Sequence, residues 1–283
     1  MKLLFWNLRR RRLGRVLSEL AEEHKPDLIA VAESPASGHI LTYLNENTER
    51  LFHLAPYQAS EIAEGSVPVG RSTRVALYSQ LPRDVVEYRD NPYRKYLSLN
   101  RIRWSIGNEI LVAAIHFPSK IWRSHSDQKT WACRISDEIR NAERALGHTR
   151  TVLVGDLNMN PFEDAMISAD GFHGVMTIER ALKGSRTHGG KHYAFFYNPM
   201  WGLFGDNSQG PPGTFHRQGS DILEYFWHIY DQVLIRPSLL EGNDRFTVRI
   251  LDRSLSTSFL SANGLPDVDG VSDHLPLLFN LRV

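Results

Sequence analysis

The sequence contains very little cysteine. Its 283 residues include one cysteine, Cys133, which cannot form a disulfide within the chain. This excludes the small secreted scaffolds that disulfides hold together, and it fits a reducing compartment, so we expect a cytoplasmic protein. A chain of this length can bury a large core without such crosslinks, as one large α/β domain or two small ones.

Long apolar segments are also absent. No segment reaches the roughly 18 apolar residues that a membrane-spanning helix needs. The apolar start, residues 1–6, is soon followed by four arginines at positions 9–12, whereas a signal peptide carries its charges before the apolar run. We therefore expect neither a membrane span nor a secretory leader.

The chain has almost no net charge, because 33 Lys and Arg residues face 32 Asp and Glu residues. Proteins that coat duplex nucleic acid usually carry a basic excess. Near-neutrality argues against a partner held by bulk electrostatics, but it leaves room for a local basic patch.

Short apolar segments with polar ends recur along the chain, and many follow one another without a helix between them. A strand, a helix and a second strand fill residues 2–32. This pattern predicts an α/β (α+β) fold with mixed β-sheets packed together and helices outside them. We expect one domain that spans residues 1–283.

Residues 185–219 are rich in glycine, proline and aromatic residues. A long structureless loop in a compact domain is usually functional or mobile. We interpret this stretch as a loop excursion from the scaffold rather than a second domain. Its aromatic side chains either border a cleft or pack against the scaffold, and their alternation favours packing for most of them.

Polar residues stand where the predicted strands end. They are Asn7, Glu33, His116, Asp156, Asn158 and Asp231, with Asp273 and His274 just before the last strand. Carboxylates and amides that converge at one edge of a sheet suit Mg²⁺, which prefers oxygen ligands. Zinc fits less well, because the chain has one cysteine and no HExxH motif.

Several of these residues lie in segments that are similar to the motifs of one family. In order, the segments are Phe5-Trp6-Asn7-Leu8, Ala32-Glu33, Ile115-His116, Gly155-Asp156-Leu157-Asn158-Met159-Asn160-Pro161, Tyr230-Asp231 and Gly270-Val271-Ser272-Asp273-His274. The chain thus resembles the endonuclease/exonuclease/phosphatase superfamily, with a fold like that of deoxyribonuclease I. The resemblance implies a four-layer sandwich of two mixed β-sheets flanked by helices.

The resemblance also implies hydrolysis of phosphate esters with a divalent metal, usually Mg²⁺, with Mn²⁺ as an alternative. Glu33 would be the main metal ligand, assisted by Asn7, and Asp273 would lie beside the metal. Taken by itself, Asn7 could instead cap the turn before the first helix.

Catalytic roles follow from the same resemblance. Asp156 and Asn158 would orient the attacking water and the phosphate, or hold a second metal. His274 would hydrogen-bond the phosphate or act as general base, and Asp231 would orient its ring. His116 would contact the phosphate; taken by itself, it could be a structural histidine at a strand end.

Basic residues near these positions are candidates for substrate binding. Arg9, Arg10, Arg11 and Arg12 follow Asn7 closely, and Lys120 follows His116. We expect them to grip phosphates that flank the cleaved one. The alternative for the arginines is a solvated helix start, although four cations there oppose the helix dipole.

The segments around the site differ from those of abasic-site endonucleases, which typically carry Thr-Lys after the metal-binding glutamate. Here Glu33 is followed by Ser34-Pro35-Ala36. We predict a Mg²⁺-dependent nuclease for DNA or RNA phosphodiesters. The alternative is a phosphatase or phosphodiesterase for a small or lipid-derived phosphate ester. A non-catalytic binding protein is the third hypothesis, against which the filled metal and histidine positions argue.

Overall fold

The computed structural model describes residues 1–35, 37–55, 74–105, 108–120, 125–220, 222–240 and 246–282. Strands in these residues are β1 (Lys2–Asn7), β2 (Leu28–Ala32), β3 (His53–Leu54), β4 (Val75–Ser79), β5 (Val86–Arg89), β6 (Leu97–Ser105), β7 (Asn108–His116), β8 (Thr151–Asp156), β9 (Gly174–Val175), β10 (Ser185–His188), β11 (Lys191–Ala194), β12 (Phe196–Tyr197), β13 (Phe215–His216), β14 (Trp227–His228), β15 (Asp231–Ile235), β16 (Phe246–Ile250) and β17 (Leu277–Leu281).

Helices in the described residues are α1 (Gly14–His24), α2 (Ser37–Asn47), α3 (His125–Leu146), α4 (Asp164–Ile167) and α5 (Ile178–Ala181). Short 3₁₀ turns span Arg83–Val85, Pro199–Leu203 and Pro237–Leu239. Within the described ranges, no helix combines the length and apolarity that crossing a membrane requires.

The strands form two large mixed sheets and two small hairpins. One sheet has the order β16-β17-β1-β2-β4-β3, and the other has the order β5-β6-β7-β8-β15-β12-β9. The hairpins are β10-β11 and β13-β14. Parallel pairing of β1 with β2 and of β7 with β8 makes both large sheets mixed, as predicted.

Side chains along the central strands alternate between two cores, as the period of a β-strand requires. On β8, Val152 and Val154 join the core between the sheets, whereas Leu153 packs with Ile135 and Ile139 of α3. The apolar faces of helices α1 and α2 pack with strands of the six-stranded sheet. The predicted four-layer α/β sandwich is therefore confirmed.

Strand register brings distant polar residues into one row. Parallel pairing of β7 with β8 sets His116 beside Asp156, and antiparallel pairing of β8 with β15 sets Asp231 on the other side of Asp156. Residues paired in this way point to the same face of a sheet. Asn7 pairs with Ala32, so Glu33 follows at the same end of the six-stranded sheet.

The stretch 185–219, which we expect to be a loop excursion from the scaffold, contains regular secondary structure. It contains β10 to β13 and a 3₁₀ turn, and Phe196–Tyr197 joins the seven-stranded sheet beside Ile235. Phe195 and Phe196 are buried, which is the packing that the aromatic alternation favours. Gly189 and Gly190 form a hairpin turn rather than marking a flexible loop.

Gly155 is a position beside the site where glycine is sterically required. Its φ is +151°, and a Cβ there would lie 1.9 Å from the carbonyl oxygen of Ile115 on the neighbouring strand. Any side chain would force β7 and β8 apart directly before Asp156.

We predict that Gly155→Ala lowers the free energy of unfolding by on the order of 3 kcal/mol, because the backbone clash cannot relax without moving a central strand. Urea denaturation measures the change. Gly202→Ala is the matched control, since a Cβ there has no atom within 4 Å, and it should change stability by less than about 0.5 kcal/mol. Equal stabilities for the two variants would contradict the steric requirement.

Candidate active site

The site lies where ends of the two large sheets meet, and two hydrogen bonds cross between them. Asn7 Nδ2, on β1, donates to Asp156 Oδ2, on β8, over 2.9 Å. His274 Nδ1, just before β17, donates to Asp231 Oδ2, on β15, over 2.8 Å. All four side chains are buried, so each polar atom that pairs offsets a desolvation cost.

Asp156 Oδ2 is the common neighbour of the two histidines. It lies 3.6 Å from His116 Nε2 and 3.9 Å from His274 Nε2. His116 Nε2 also lies 3.5 Å from Glu33 Oε1. The structure thus brings His116, Glu33, Asp156 and His274 around one space, with Asp231 behind His274.

Two hydroxyl side chains, to which the sequence motifs assign no role, hold this arrangement. Ser272 Oγ donates to the Asn7 carbonyl over 2.8 Å and accepts from the His274 amide over 3.2 Å. Thr214 Oγ1 accepts from the Asp231 amide over 3.1 Å. Ser272 lies inside a recognisable motif, but Thr214 lies in a Pro-Gly segment that carries no signal for this contact.

Strained backbone concentrates at the site. Glu33 and Asn158 have φ values of +48° and +50°, and Arg9 and Arg10 have values of +47° and +59°. Non-glycine residues rarely adopt this region, and such strain is common at functional sites. At Asn158 the turn is held by its amide, which donates to Asp156 Oδ1 over 2.8 Å.

The two histidines differ in protonation. Burial alone would lower the pKa of His274, but the carboxylates of Asp231 and Asp156 outweigh it and raise that pKa to about 10. For His116, burial and the nearby charges of Arg74 and His274 lower the pKa to about 3. Near pH 7, His274 is therefore an imidazolium and His116 is a neutral ring.

Asp156 holds its proton more tightly than an ordinary carboxyl group. Burial and the charge of Asp231 raise its pKa to about 7, although His274 opposes the rise. A carboxyl group with a pKa near 7 can both accept and release a proton at neutral pH.

The donor set fits a hard divalent cation. Oδ1 of Asp273 is buried with no hydrogen-bond partner among the described residues, and a buried carboxylate oxygen needs a partner. Glu33 directly follows β2, at the strand end where Ala32 pairs with Asn7, and its carboxylate is partly exposed. Asn7 Nδ2 is committed to Asp156, and its Oδ1 accepts from the Arg9 amide over 3.0 Å.

A second group of ligand-type atoms lies within 4.8 Å of one another, on Asp156, Asp231 and His274. Its Asp231 and His274 atoms already share a 2.8 Å hydrogen bond, and His274 favours the protonated form. A metal needs a neutral imidazole, so this group fits a hydrogen-bonded pair better than a metal site.

The predicted substrate-binding residues divide into different environments. Arg9 lies 3.3 Å from Asp273, and Arg10 lies 3.9 Å from Glu33, so both reach the site. The other three have different surroundings. Arg11 donates to the carbonyls of Val268 and Asp269, and Arg12 is exposed. Lys120 forms a 2.5 Å ion pair with Glu163 beside the Tyr230 ring.

A sequence model described as the Endonuclease/Exonuclease/phosphatase family matches residues 4–274. No curated protein sequence matches the chain.

Solved structures share the fold at low sequence identity. An AP endonuclease from Archaeoglobus fulgidus is 18% identical, with 100% of each chain covered and a TM-score of 0.56. D. rerio TDP2 complexed with single strand DNA product is 12% identical, with 99% of this chain and 98% of that chain covered and a TM-score of 0.56. A functionally unknown conserved protein from Enterococcus faecalis is 15% identical, with 99% of each chain covered and a TM-score of 0.54.

We predict that Asp231→Asn lowers the pKa of His274 from about 10 to its ordinary value of 6.5 or below, because burial remains while the nearest negative charge is lost. Titration of ¹⁵N-labelled histidine by NMR, in the presence of EDTA, measures this value. Asp137→Asn, an exposed carboxylate on α3, is the control and should leave it unchanged. A pKa near 6.5 in the unaltered protein would contradict the assigned charge.

Proposed function

The chain belongs to the endonuclease/exonuclease/phosphatase family and is a phosphate-ester hydrolase, and we propose that it is a Mg²⁺-dependent nuclease that cleaves DNA or RNA phosphodiesters. The observation that carries the proposal is the buried constellation of His274, Asp231, Asp156 and His116 beside Glu33. It combines the imidazolium of His274, the Asp156 carboxyl group with a pKa near 7, and the Glu33 carboxylate as an oxygen ligand for a metal.

Glu33 and Asp273 would hold the metal, with Asn7 in support, because their oxygens include the unpartnered Oδ1 of Asp273. A bound Mg²⁺ supplies positive charge that offsets the charge developing on the phosphate. Mn²⁺ has similar oxygen preferences and is the alternative.

The residues of the chain provide the proton chemistry. Asp231 holds the Nδ1 hydrogen of His274, which leaves the Nε2 hydrogen free to stabilise a phosphate oxygen. In this proposal Asp156 accepts the proton from the attacking water, since its pKa lies close to neutral pH. His116, neutral and 3.6 Å from Asp156, would contact the phosphate, and Asn158 would orient the phosphate or the water.

Nucleic acid is the substrate that the surroundings favour. Arg9 and Arg10 are exposed guanidinium groups at the rim of the site, where they could contact phosphates next to the cleaved one. One structural neighbour, D. rerio TDP2, is described in complex with single strand DNA product. A small or lipid-derived phosphate ester is the alternative substrate, and the near-zero net charge of the chain is compatible with it.

We predict that the purified protein cleaves plasmid and single-stranded oligonucleotides with Mg²⁺ and that EDTA stops the reaction. His274→Ala and Glu33→Gln should each reduce the rate at least a hundredfold, on the order expected for a lost charge-stabilising group. Gel analysis of cleavage measures the rates, and circular dichroism checks folding.

His24→Ala and Glu49→Gln are the matched controls outside the site, and both should retain the full rate. Release of phosphate from small esters with no cleavage of any nucleic acid would establish the alternative function. Full activity in either site variant would overturn the residue assignment.

We predict that Arg9→Gln with Arg10→Gln weakens oligonucleotide binding and lowers the slope of log affinity against log salt by about two, one for each lost phosphate contact. Fluorescence anisotropy with EDTA measures both quantities. Arg50→Gln with Arg253→Gln removes two exposed arginines outside the site and should leave the slope unchanged. An unaltered slope in the first variant would assign those arginines to a structural role.

A further inference from the structure

A second basic region comprises the hairpin formed by β10 and β11 and the segment that leads into it from α5. Residues 180–205 contain no aspartate or glutamate, although the whole chain has 32 of them. The same stretch carries Arg180, Lys183, Arg186 and Lys191, together with His188 and His192. In a chain with a net charge of +1, this is a strong local excess of positive charge.

The hairpin displays three of these basic side chains, Arg186, His188 and Lys191, on one face. In its register Arg186 pairs with Tyr193, and His188 pairs with Lys191, so these four side chains point the same way. All residues from 185 to 192 are exposed. Gly189 and Gly190, with φ values of +55° and +74°, close the tight turn at the tip.

The cations of this region are not neutralised within the described residues. No carboxylate of the described chain lies within 4.0 Å of Arg180, Lys183, Arg186 or Lys191, whereas Arg9 and Arg10 each have one. Unpaired, clustered cations attract a polyanion more strongly than cations that already have a partner.

The base of the hairpin is firmly anchored. Arg236 Nη1 donates to the carbonyls of Ala194 and Phe195 over 3.0 Å, while its Nε and Nη2 pair with the buried Glu143 over 2.8 and 3.0 Å. His173 Nδ1 adds a 3.2 Å hydrogen bond to the Ala194 carbonyl. An isolated hairpin is only marginally stable, so these hydrogen bonds hold the exposed strands β10 and β11 in a defined conformation.

The hairpin is separate from the active site. It leads into β12, whose Tyr197 pairs with Ile235, and Ile235 is at the opposite end of β15 from Asp231. Four residues of strand span about 13 Å. The cations of the hairpin therefore cannot contact the phosphate that reacts beside Asp231.

We propose that the β10–β11 hairpin is a second binding surface for double-stranded nucleic acid, a proposal that rests on the proposed nuclease function for the identity of its polyanion. The major groove, about 12 Å wide, admits a two-stranded β-ribbon, and the basic face would contact phosphates on its edges. An anionic membrane fits less well, because the tip is Gly189-Gly190 and offers no apolar side chain for insertion.

The test is a triple variant, Lys183→Gln with Arg186→Gln and Lys191→Gln, in the full chain. Binding of a 30-base-pair DNA duplex with EDTA is measured by fluorescence anisotropy over a range of salt concentrations. We expect affinity to fall roughly tenfold or more and the salt slope to fall by about three. Hydrolysis of bis(p-nitrophenyl) phosphate with Mg²⁺ should be unchanged, because that small ester cannot reach the hairpin.

Arg83→Gln with Arg103→Gln is the control, since both arginines are exposed near β5 and β6, at the edge of the seven-stranded sheet away from β12. Retained affinity and salt slope in the triple variant would overturn the proposal, as would binding to phosphatidylserine vesicles without binding to the duplex. Hairpin-dependent duplex binding in a protein that cleaves no nucleic acid would support the surface while refuting the proposed function.

Discussion

Pairing of buried polar groups across the two sheets is the constraint on which the site depends. Asn7 of one sheet meets Asp156 of the other, and His274 meets Asp231, all of them buried. A buried charge without its partner costs several kcal/mol, so the sheets must pack in one register for the fold to be stable. The same contacts therefore stabilise the sandwich and fix the geometry of the site. Gly155 contributes by letting β7 and β8 approach closely.

The same pairing sets the charges that the proposed chemistry uses. Two carboxylates beside His274 keep its ring protonated, and burial among these groups moves the pKa of Asp156 towards neutrality. His116 stays neutral, because burial and the nearby charges of Arg74 and His274 lower its pKa to about 3. In the proposed function, His274 is the hydrogen-bond donor, Asp156 is the proton acceptor and His116 is the neutral contact for phosphate.

Much of this arrangement was predictable from the sequence, because apolar strands that end in polar residues bring those residues to one edge. Asn7, His116, Asp156 and Asp231 converge for that reason. Contacts that depend on loop conformation were not predictable. The anchoring of the β10–β11 hairpin by Arg236 comes from residues more than 40 positions apart. Glycine-rich composition alone does not distinguish a tight turn from a flexible loop, so the strands within residues 185–219 could not be predicted from it.

We propose that this site directs water at a phosphodiester. The most direct test is cleavage of an oligonucleotide with Mg²⁺ in H₂¹⁸O, followed by mass spectrometry of the products. Attack by water predicts one ¹⁸O atom in the terminal phosphate formed by each cleavage. Products that contain only ¹⁶O, such as a cyclic phosphate, would show that the attacking oxygen comes from the substrate and would contradict the account.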